Sequence, residues 1–525
     1  MQRKISSLSV IRALGLALVL GATASCSEEP NNMGSKSNTL TILVPDGEER
    51  LTGPAWDDDL KMLVYLPLVK YDYDNCPGDP TGGLADRLEP SEDSSEWTVY
   101  LRRDIRWHDG EPVTAHDIKF TVDLWNHPDV NYYAGGDFGE VTVLDDYTFR
   151  VTYSKPSRAL LGGWAVFYPR HLLKDLPPAE FMNWDFWTRP VGNGPYRYVN
   201  HTKRTMMEFE ANPDFYLGKP KIEKLILKFV ADGASGVAEL KGGTVDVREN
   251  FSPTDAFALR DIDDVRLHFG YTPARIQISW NHRFPLFADA RVRRALTHAI
   301  DRRALHRALN LPANLPLTDG LYTDCQFTRG EFPAPLPYDP ALSRTLLAEA
   351  GWNPDDDGKL RAADGRLFSF TLLAEQKFNT QAAVFIQSQL RDLGVEMKIQ
   401  PLQSATIREN VESGNFEAAL HKLGASASFH HRPFFSGNSP IGYQNDVVDA
   451  LYAGVYNSID RAEWDAAYVE ISEIFRKDVP VTFLFPRVRM TAASRRIKGY
   501  TELDSRGTTD FNIAYDIHKY WLEDQ

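Results

Sequence analysis

The sequence predicts an α/β protein of several lobes, on three observations. Segments of helical period alternate with short strand-like runs along the chain, which places a sheet under a cover of helices. The chain has 525 residues, 43% of them hydrophobic, and that length predicts two to four domains around sizeable cores. No internal repeat or long low-complexity tract points to a solenoid.

The first segment is one that leaves the fold. Arg3, Lys4 and Arg12 precede an apolar stretch from Ala13 to Leu20, and small residues from Gly21 to Ser25 lead to Cys26. The stretch is short for a membrane span, and the polar run Ser27–Asn32 behind it would leave a core helix without a partner. Residues 1–25 therefore form a signal peptide. Ala24-Ser25-Cys26 resembles the lipobox of bacterial lipoproteins, which implies acylation of Cys26 and a lipid anchor, with residues 26–38 as lipidated Cys and flexible tether. Thr23 stands where the lipobox usually has Leu, so ordinary signal-peptide cleavage stays open.

Removing residues 1–25 takes away three cations and no carboxylate, which moves the formal charge from −14 to −17. So acidic a chain disfavours nucleic acid as a partner, because phosphate neutralisation needs a basic surface. No other window is apolar enough to cross a membrane. Cys76 and Cys325 remain, either bridged, as an oxidising compartment permits, or as two separate thiols.

The elements follow in order. Leu40–Val44 reads as a strand that breaks at Pro45-Asp46-Gly47, and Asp58–Leu66 as helical. Trp97–Leu101 alternates as a strand, and Thr114 caps a helix through Leu124 with Asp117 at the third helical position, a capping-box variant. Strands recur at Val141–Leu144, Thr148–Tyr153, Met206–Glu210 and Lys224–Val230. Helices then read at Ala290–Ile300, Arg302–Leu309, Pro340–Ala350, Thr380–Leu393, Ser404–Ser413, Val447–Val455 and Arg461–Arg476. Between them lie strands at Phe368–Leu373, Glu396–Pro401, Ala418–Lys422 and Val481–Phe485.

Five blocks carry a family resemblance. They are Tyr100–Asp117 with its Trp107-His108-Asp109-Gly110 core, Val191–Tyr196 followed by Asn212–Pro220, Leu240–Asp246, Ala290–Asp301, and Tyr338-Asp339-Pro340 through Trp352. In this order they resemble the extracellular solute-binding proteins of family 5, the peptide- and nickel-binding receptors of ABC importers. Their physical roles read plainly: Asp109-Gly110 suits a tight turn, Gly192 and Gly194 shape a crossing between domains, and Trp107 belongs to a core.

The resemblance implies a two-lobed periplasmic-binding-protein-like fold of the cluster C type, with an extra subdomain in lobe I. Lobe I takes residues 39–72, 191–280 and 490–525, the inserted subdomain 73–190, and lobe II 281–489. It further implies a monomer in the bacterial cell envelope, periplasmic or extracytoplasmic, that captures a small solute, peptide or otherwise, and passes it to ABC permease subunits driven by ATPase subunits. Genes beside this one for a regulator rather than permeases would favour a sensory lipoprotein that kept the fold. An oligosaccharide or a metal chelate also stays open as ligand.

Two loops are expected at the ligand. The first follows the opening strand and carries Glu48, Glu49 and Arg50. The second follows Ala418–Lys422 and carries Ser426, Ser428, Phe429, His430, His431 and Arg432, where related peptide receptors place a carboxylate for the ligand's ammonium. A buried ammonium without a countercharge costs several kcal/mol, so the absence of a carboxylate there favours a carboxylate-bearing or other anionic solute, which Arg432 would meet in bidentate fashion. Trp56, Trp280 and Phe429 are candidates for apolar walls, against ordinary core packing.

His430 and His431 are adjacent, and neighbours on a strand face opposite sides, so they do not present both rings to one ion; no metal is assigned there. Asn353, Asp355, Asp357, Gly358 and Asp364 fall at calcium-loop positions 1, 3, 5, 6 and 12, but Pro354, the leading Asn and the closing Asp depart from that loop, and an ordinary Asp/Gly turn is the favoured reading. No nucleophile elbow, zinc helix or phosphate loop appears, so no catalytic residue and no cofactor are assigned.

Overall fold

The computed structural model describes residues 38–523 apart from 46–57, 71–81, 131–137, 158, 163–164, 231–232, 250–257, 314, 318, 320–332, 377, 424–431, 459 and 500–515. Strand β1 (Thr39–Pro45) buries Leu40, Ile42, Leu43 and Val44, as expected of a strand with neighbours on both sides. The chain then builds a separate antiparallel sheet from β2 (Ala85–Pro90), β3 (Glu96–Leu101), β4 (Glu140–Asp145) and β5 (Thr148–Thr152), in the order β2-β3-β5-β4. Strict inside-outside alternation along β3 packs this sheet on one face only. Helix Ala115–Trp125 joins β3 to β4, and Asp117 accepts the Thr114 backbone N–H at 2.8 Å, as the capping pattern requires.

The chain returns through β6 (Tyr196–Thr202), β7 (Met206–Ala211) and β8 (Lys224–Val230), and β8 lies parallel to β1. The short β9 (Val247–Arg248) takes the other side of β1, also parallel. Strand β10 (Val265–Trp280) then leads away. After the small hairpin β11 (Asn353–Pro354) and β12 (Leu360–Arg361), the strands β13 (Ser369–Glu375), β14 (Glu396–Leu402) and β15 (Ala418–Leu423) run parallel to one another. Strand β16 (Val481–Ser494) comes back antiparallel to β10 and joins β9. The result is a ten-stranded sheet in the order β14-β13-β15-β10-β16-β9-β1-β8-β7-β6.

Three cores line this sheet. The first joins β1 and β6–β8 to the inserted sheet and to an aromatic group of Tyr168, Phe181, Trp184 and Trp187, with Tyr168 and Trp187 centroids 5.0 Å apart. The second lies under helices Ala290–His298 and Phe378–Arg391, and the third on the opposite face under helices Ser404–Ser413, Asp446–Asn457 and Arg461–Asp478. Strand β16 contributes to all three cores, through Ala493 to the first, Leu484 and Phe485 to the second and Val481 and Phe483 to the third, while its partner β10 packs into the second.

Two family blocks meet at a three-way clasp. Asn193 and Gly194 N–H both donate to Val64 O, and His108 N–H donates to Gly192 O at 2.7 Å. A Cβ on Gly192 would sit 1.9 Å from Val64 O, which explains the glycine. Gly110 has φ +96°, the turn conformation expected after Asp109, and Trp107 is buried.

The elements differ from the sequence expectation chiefly at the crossing pair. Strand β10 escapes a pattern search because His268, Arg275, Gln277 and Ser279 interrupt its apolar run, yet all four are buried. Strand β16 runs nine residues beyond Phe485, through Pro486. That proline lies opposite Arg275, where the register with β10 shifts, a place that tolerates a missing N–H.

Candidate functional site

The strand directions define where a solute can bind. On one side β9 is joined to β16 at Val247–Ala493 and Arg248–Ala492, with β1 and β8 parallel beside it. On the other, β15 pairs with the far half of β10, from Trp280–Ala418 to Arg275–Leu423, with β13 and β14 parallel beside it. The two parallel sets run toward each other. Their carboxyl ends, Pro45, Val230 and Arg248 in one set and Glu375, Leu402 and Leu423 in the other, converge on the stretch of β10 between Leu267 and Arg275. Ligands of open α/β sheets collect outside the carboxyl ends of strands, and here two such ends confront each other. The β10–β16 ladder is itself irregular between Tyr271 and Arg275, so the join is interrupted where a bend would occur.

The lip of the second set is polar. Gln277 Nε2 donates to Ser279 Oγ at 3.0 Å, and Ser279 Oγ lies 2.8 Å from His421 Nε2, a row that ends under the β15 terminus. Burial pushes the His421 imidazole down to about 4, so it is neutral at pH 7. Lys422 reaches solvent, but desolvation first and the Arg487 guanidinium second lower its ammonium, with Glu375 opposing. Glu375 is held in place at the β13 terminus by Asn379 Nδ2 at 3.0 Å and by the Ser404 hydroxyl. Arg275 is buried opposite Leu423.

The residues expected at the ligand divide accordingly. Glu48, Glu49, Arg50 and Trp56 follow β1, and Ser426, Ser428, Phe429, His430 and His431 follow β15; all lie outside the described residues, as do Cys26, Cys76 and Cys325. Arg432 opens the short helix Arg432–Phe435, and its side chain also lies outside the description. Trp280 requires a correction. It is fully buried in the second core, 4.9 Å from Phe287 and 6.1 Å from Phe370 between centroids, with its N–H on Thr482 Oγ1, so it offers no face to a ligand. Its position at the inward-facing register of β10 decides this.

At the calcium-loop pattern, Asp355 Oδ1 accepts the Asp357 and Lys359 N–H groups while Oδ2 takes Arg361 Nε at 2.7 Å. Asp364 caps the next turn through Arg366 N–H. Among the described residues no group of three or more His, Cys, Asp or Glu side chains converges as a metal site, and no helix is long and apolar enough to cross a membrane. Lys422, Glu375, His421 and Arg275 were missed by sequence reasoning; the signal that finds them is their place at or beside a strand's carboxyl end.

Residues 79–442 match the family described as bacterial extracellular solute-binding proteins, family 5 middle. The oligopeptide-binding protein AppA of Bacillus subtilis is 25% identical over 98% of this chain and 98% of its own length. Its structure with a nonapeptide superposes with a TM-score of 0.71, covering 92% of this chain and 99% of that one at 24% identity. NikZ of Campylobacter jejuni, solved with Ni(L-His), gives a TM-score of 0.73 at 24% identity over 92% and 99%. The glutathione-binding protein GsiB of Pectobacterium atrosepticum is 26% identical over 79% of this chain and 82% of its own. The fold is thus the two-lobed α/β architecture of these receptors.

Proposed function

The chain belongs to the bacterial extracellular solute-binding proteins of family 5, and from that membership we propose that it is the capture receptor of an ABC importer, delivering a small solute to permease subunits driven by ATPase subunits. The observation that carries this reading is the confrontation of two sets of strand carboxyl ends across an interrupted crossing pair. Contacts to both sets exist together only when the lobes close, so a bound solute shifts the population toward the closed state, which a permease can then read.

In this reading lobe I takes residues 39–72, 191–280 and 490–525 around the insertion 73–190, and lobe II takes 281–489. The loops after β1 and β15, with Glu48, Glu49, Arg50, Ser426, Ser428, His430, His431 and Arg432, supply the contacts. Cys26 carries the lipid that holds a monomer at the membrane face outside the cytoplasm, and no catalytic step is assigned. Relatives take a nonapeptide, Ni(L-His) or glutathione, which supports a polar solute, peptide-like or anionic.

Mass spectrometry of small molecules released from the denatured protein identifies the solute, and X-ray scattering with and without it tests the mechanism. Compaction together with a higher melting temperature is expected. An unchanged radius at saturation overturns hinge capture.

A further inference from the structure

The outer flank of lobe II carries a groove of about 760 Å3 that the capture mechanism does not use. Its floor is the third-core face of β13 and the edge strand β14, with Thr371, Leu373 and Gln400, and its wall is helix Ser404–Ser413, through Thr406 and Asn410. Residues Gly414–Glu417 and Asn281–Phe284 close its lower end. That helix packs Ile407 and Val411 into the third core, which leaves β14 uncovered beside it. Strand β14 stands three strands away from β10, about 14 Å across the sheet, and the lower end of the groove lies at the amino end of β15; of the facing carboxyl ends the groove reaches Leu402, at the end of β14.

The groove is built. Asn281 Nδ2 donates to Gly414 O at 3.1 Å and Phe416 O at 2.7 Å, fixing the closing loop. Arg283 is spent on the Ser439 and Pro440 carbonyls, and Gly414, at φ +73°, leaves room for it: a Cβ there would lie 2.7 Å from Arg283 Nη2. Glu417 gives one oxygen to the Thr371 N–H and keeps the other.

These groups select a chemistry. The Gln400 carboxamide and the Thr371 and Thr406 hydroxyls, which have no hydrogen-bond partner among the described residues, each both donate and accept. Glu417 disfavours an anion and Arg283 a cation. Phe284, half-buried, adds ring surface beside the polar groups, and the volume lies in the range of small-molecule sites. The geometry points to a second binding site on lobe II for a short neutral saccharide, independent of the solute captured between the lobes.

Saturation-transfer NMR on the full chain with maltose, cellobiose and N,N′-diacetylchitobiose tests it. At least one probe is expected to bind, at least tenfold more weakly to the Gln400→Ala/Thr406→Val double variant and to Gln400→Trp, which fills the groove. Gln400 and Thr406 are exposed, so these variants keep the fold, as their melting temperatures will report. Binding is expected to survive Lys422→Gln, a change at the β15 terminus. Three results each overturn the proposal: no probe binding, binding indifferent to the groove variants, or binding lost in Lys422→Gln instead, which would place the sugar between the lobes.

Discussion

Arg496 and Asp246, 250 positions apart, form a buried two-point ion pair, Nε to Oδ1 at 2.6 Å and Nη2 to Oδ2 at 2.8 Å. Arg496 also reaches Thr39 O, and Asp246 accepts the Thr41 N–H, so the pair ties the returning C-terminal segment to β1 and to the approach to β9. Removing one partner strands a buried charge. Asp246→Ala or Arg496→Ala is expected to cost about 3 to 5 kcal/mol in denaturant unfolding, and Asp246→Asn less, because it keeps part of the hydrogen bonding.

The Val64–Gly192 approach makes a second expectation. A methyl on Gly192 meets the Val64 carbonyl at 1.9 Å and its side chain at 2.7 Å, contacts that only backbone movement relieves. Gly192→Ala should lose about 2 kcal/mol or more, while Gly218→Ala, with open space at its Cβ but a φ of +93°, should lose about 1 kcal/mol. Equal melting temperatures for the two variants would contradict the clasp.

What the sequence disclosed follows from the range of each interaction. The Thr114–Asp117 cap was legible because both partners lie within one turn. The loops after β1 and β15 were legible as site candidates because each follows a recognisable strand. Strand β10 was not, since its buried Gln277 leans on Ser279, and Ser279 finds its partner in His421, 142 residues further on. Lys422 and Glu375 stayed hidden for the same reason: a strand's carboxyl end acquires meaning only when register brings another beside it. Trp280 was ambiguous because a tryptophan reads alike whether β10 turns it to a core or to a cleft.

Stability should fall on mild acidification. Burial pushes His108, His306 and His421 down to about 4 and His282 to about 3, from an ordinary 6.5. His108 Nδ1 accepts the Gly192 N–H at 3.2 Å, a bond that protonation removes. Since the unfolded chain binds these protons first, the histidine contribution is complete above pH 6.5 and is lost as pH falls from there toward 4, by up to about 1.4 kcal/mol per pH unit for each group. Thermal melts between pH 8 and 4 should show a plateau and then a decline, shallower in His108→Gln once its lower starting stability is allowed for. A melting temperature that rises below pH 6.5 would refute it.

Specificity gives the last expectation. A peptide receptor of this kind buries the ligand's ammonium on closure, and a carboxylate must meet it or the desolvation cost stands uncompensated. Between Leu423 and Pro433 the chain carries none, and Lys422 at the β15 terminus already feels the repulsion of Arg487. Glu375, the carboxylate at the β13 terminus, is engaged by Asn379 and Ser404. Unmodified di- to pentapeptides should therefore bind weakly unless Asp46, Glu48 or Glu49 supplies the charge from the opposite lobe, and solutes with a carboxylate, a phosphate or many hydroxyls should bind better. Lys422→Gln and Arg432→Ala should each weaken an anionic solute, by about 2 to 5 kcal/mol where the contact is buried. Lys422→Gln should also leave the unliganded protein about as stable as before, since Lys422 is exposed and the change removes both the repulsion of Arg487 and the attraction of Glu375. Calorimetry with a peptide pool and an anion panel measures both. Micromolar binding of ordinary peptides, indifferent to either substitution, would return the chain to plain peptide capture.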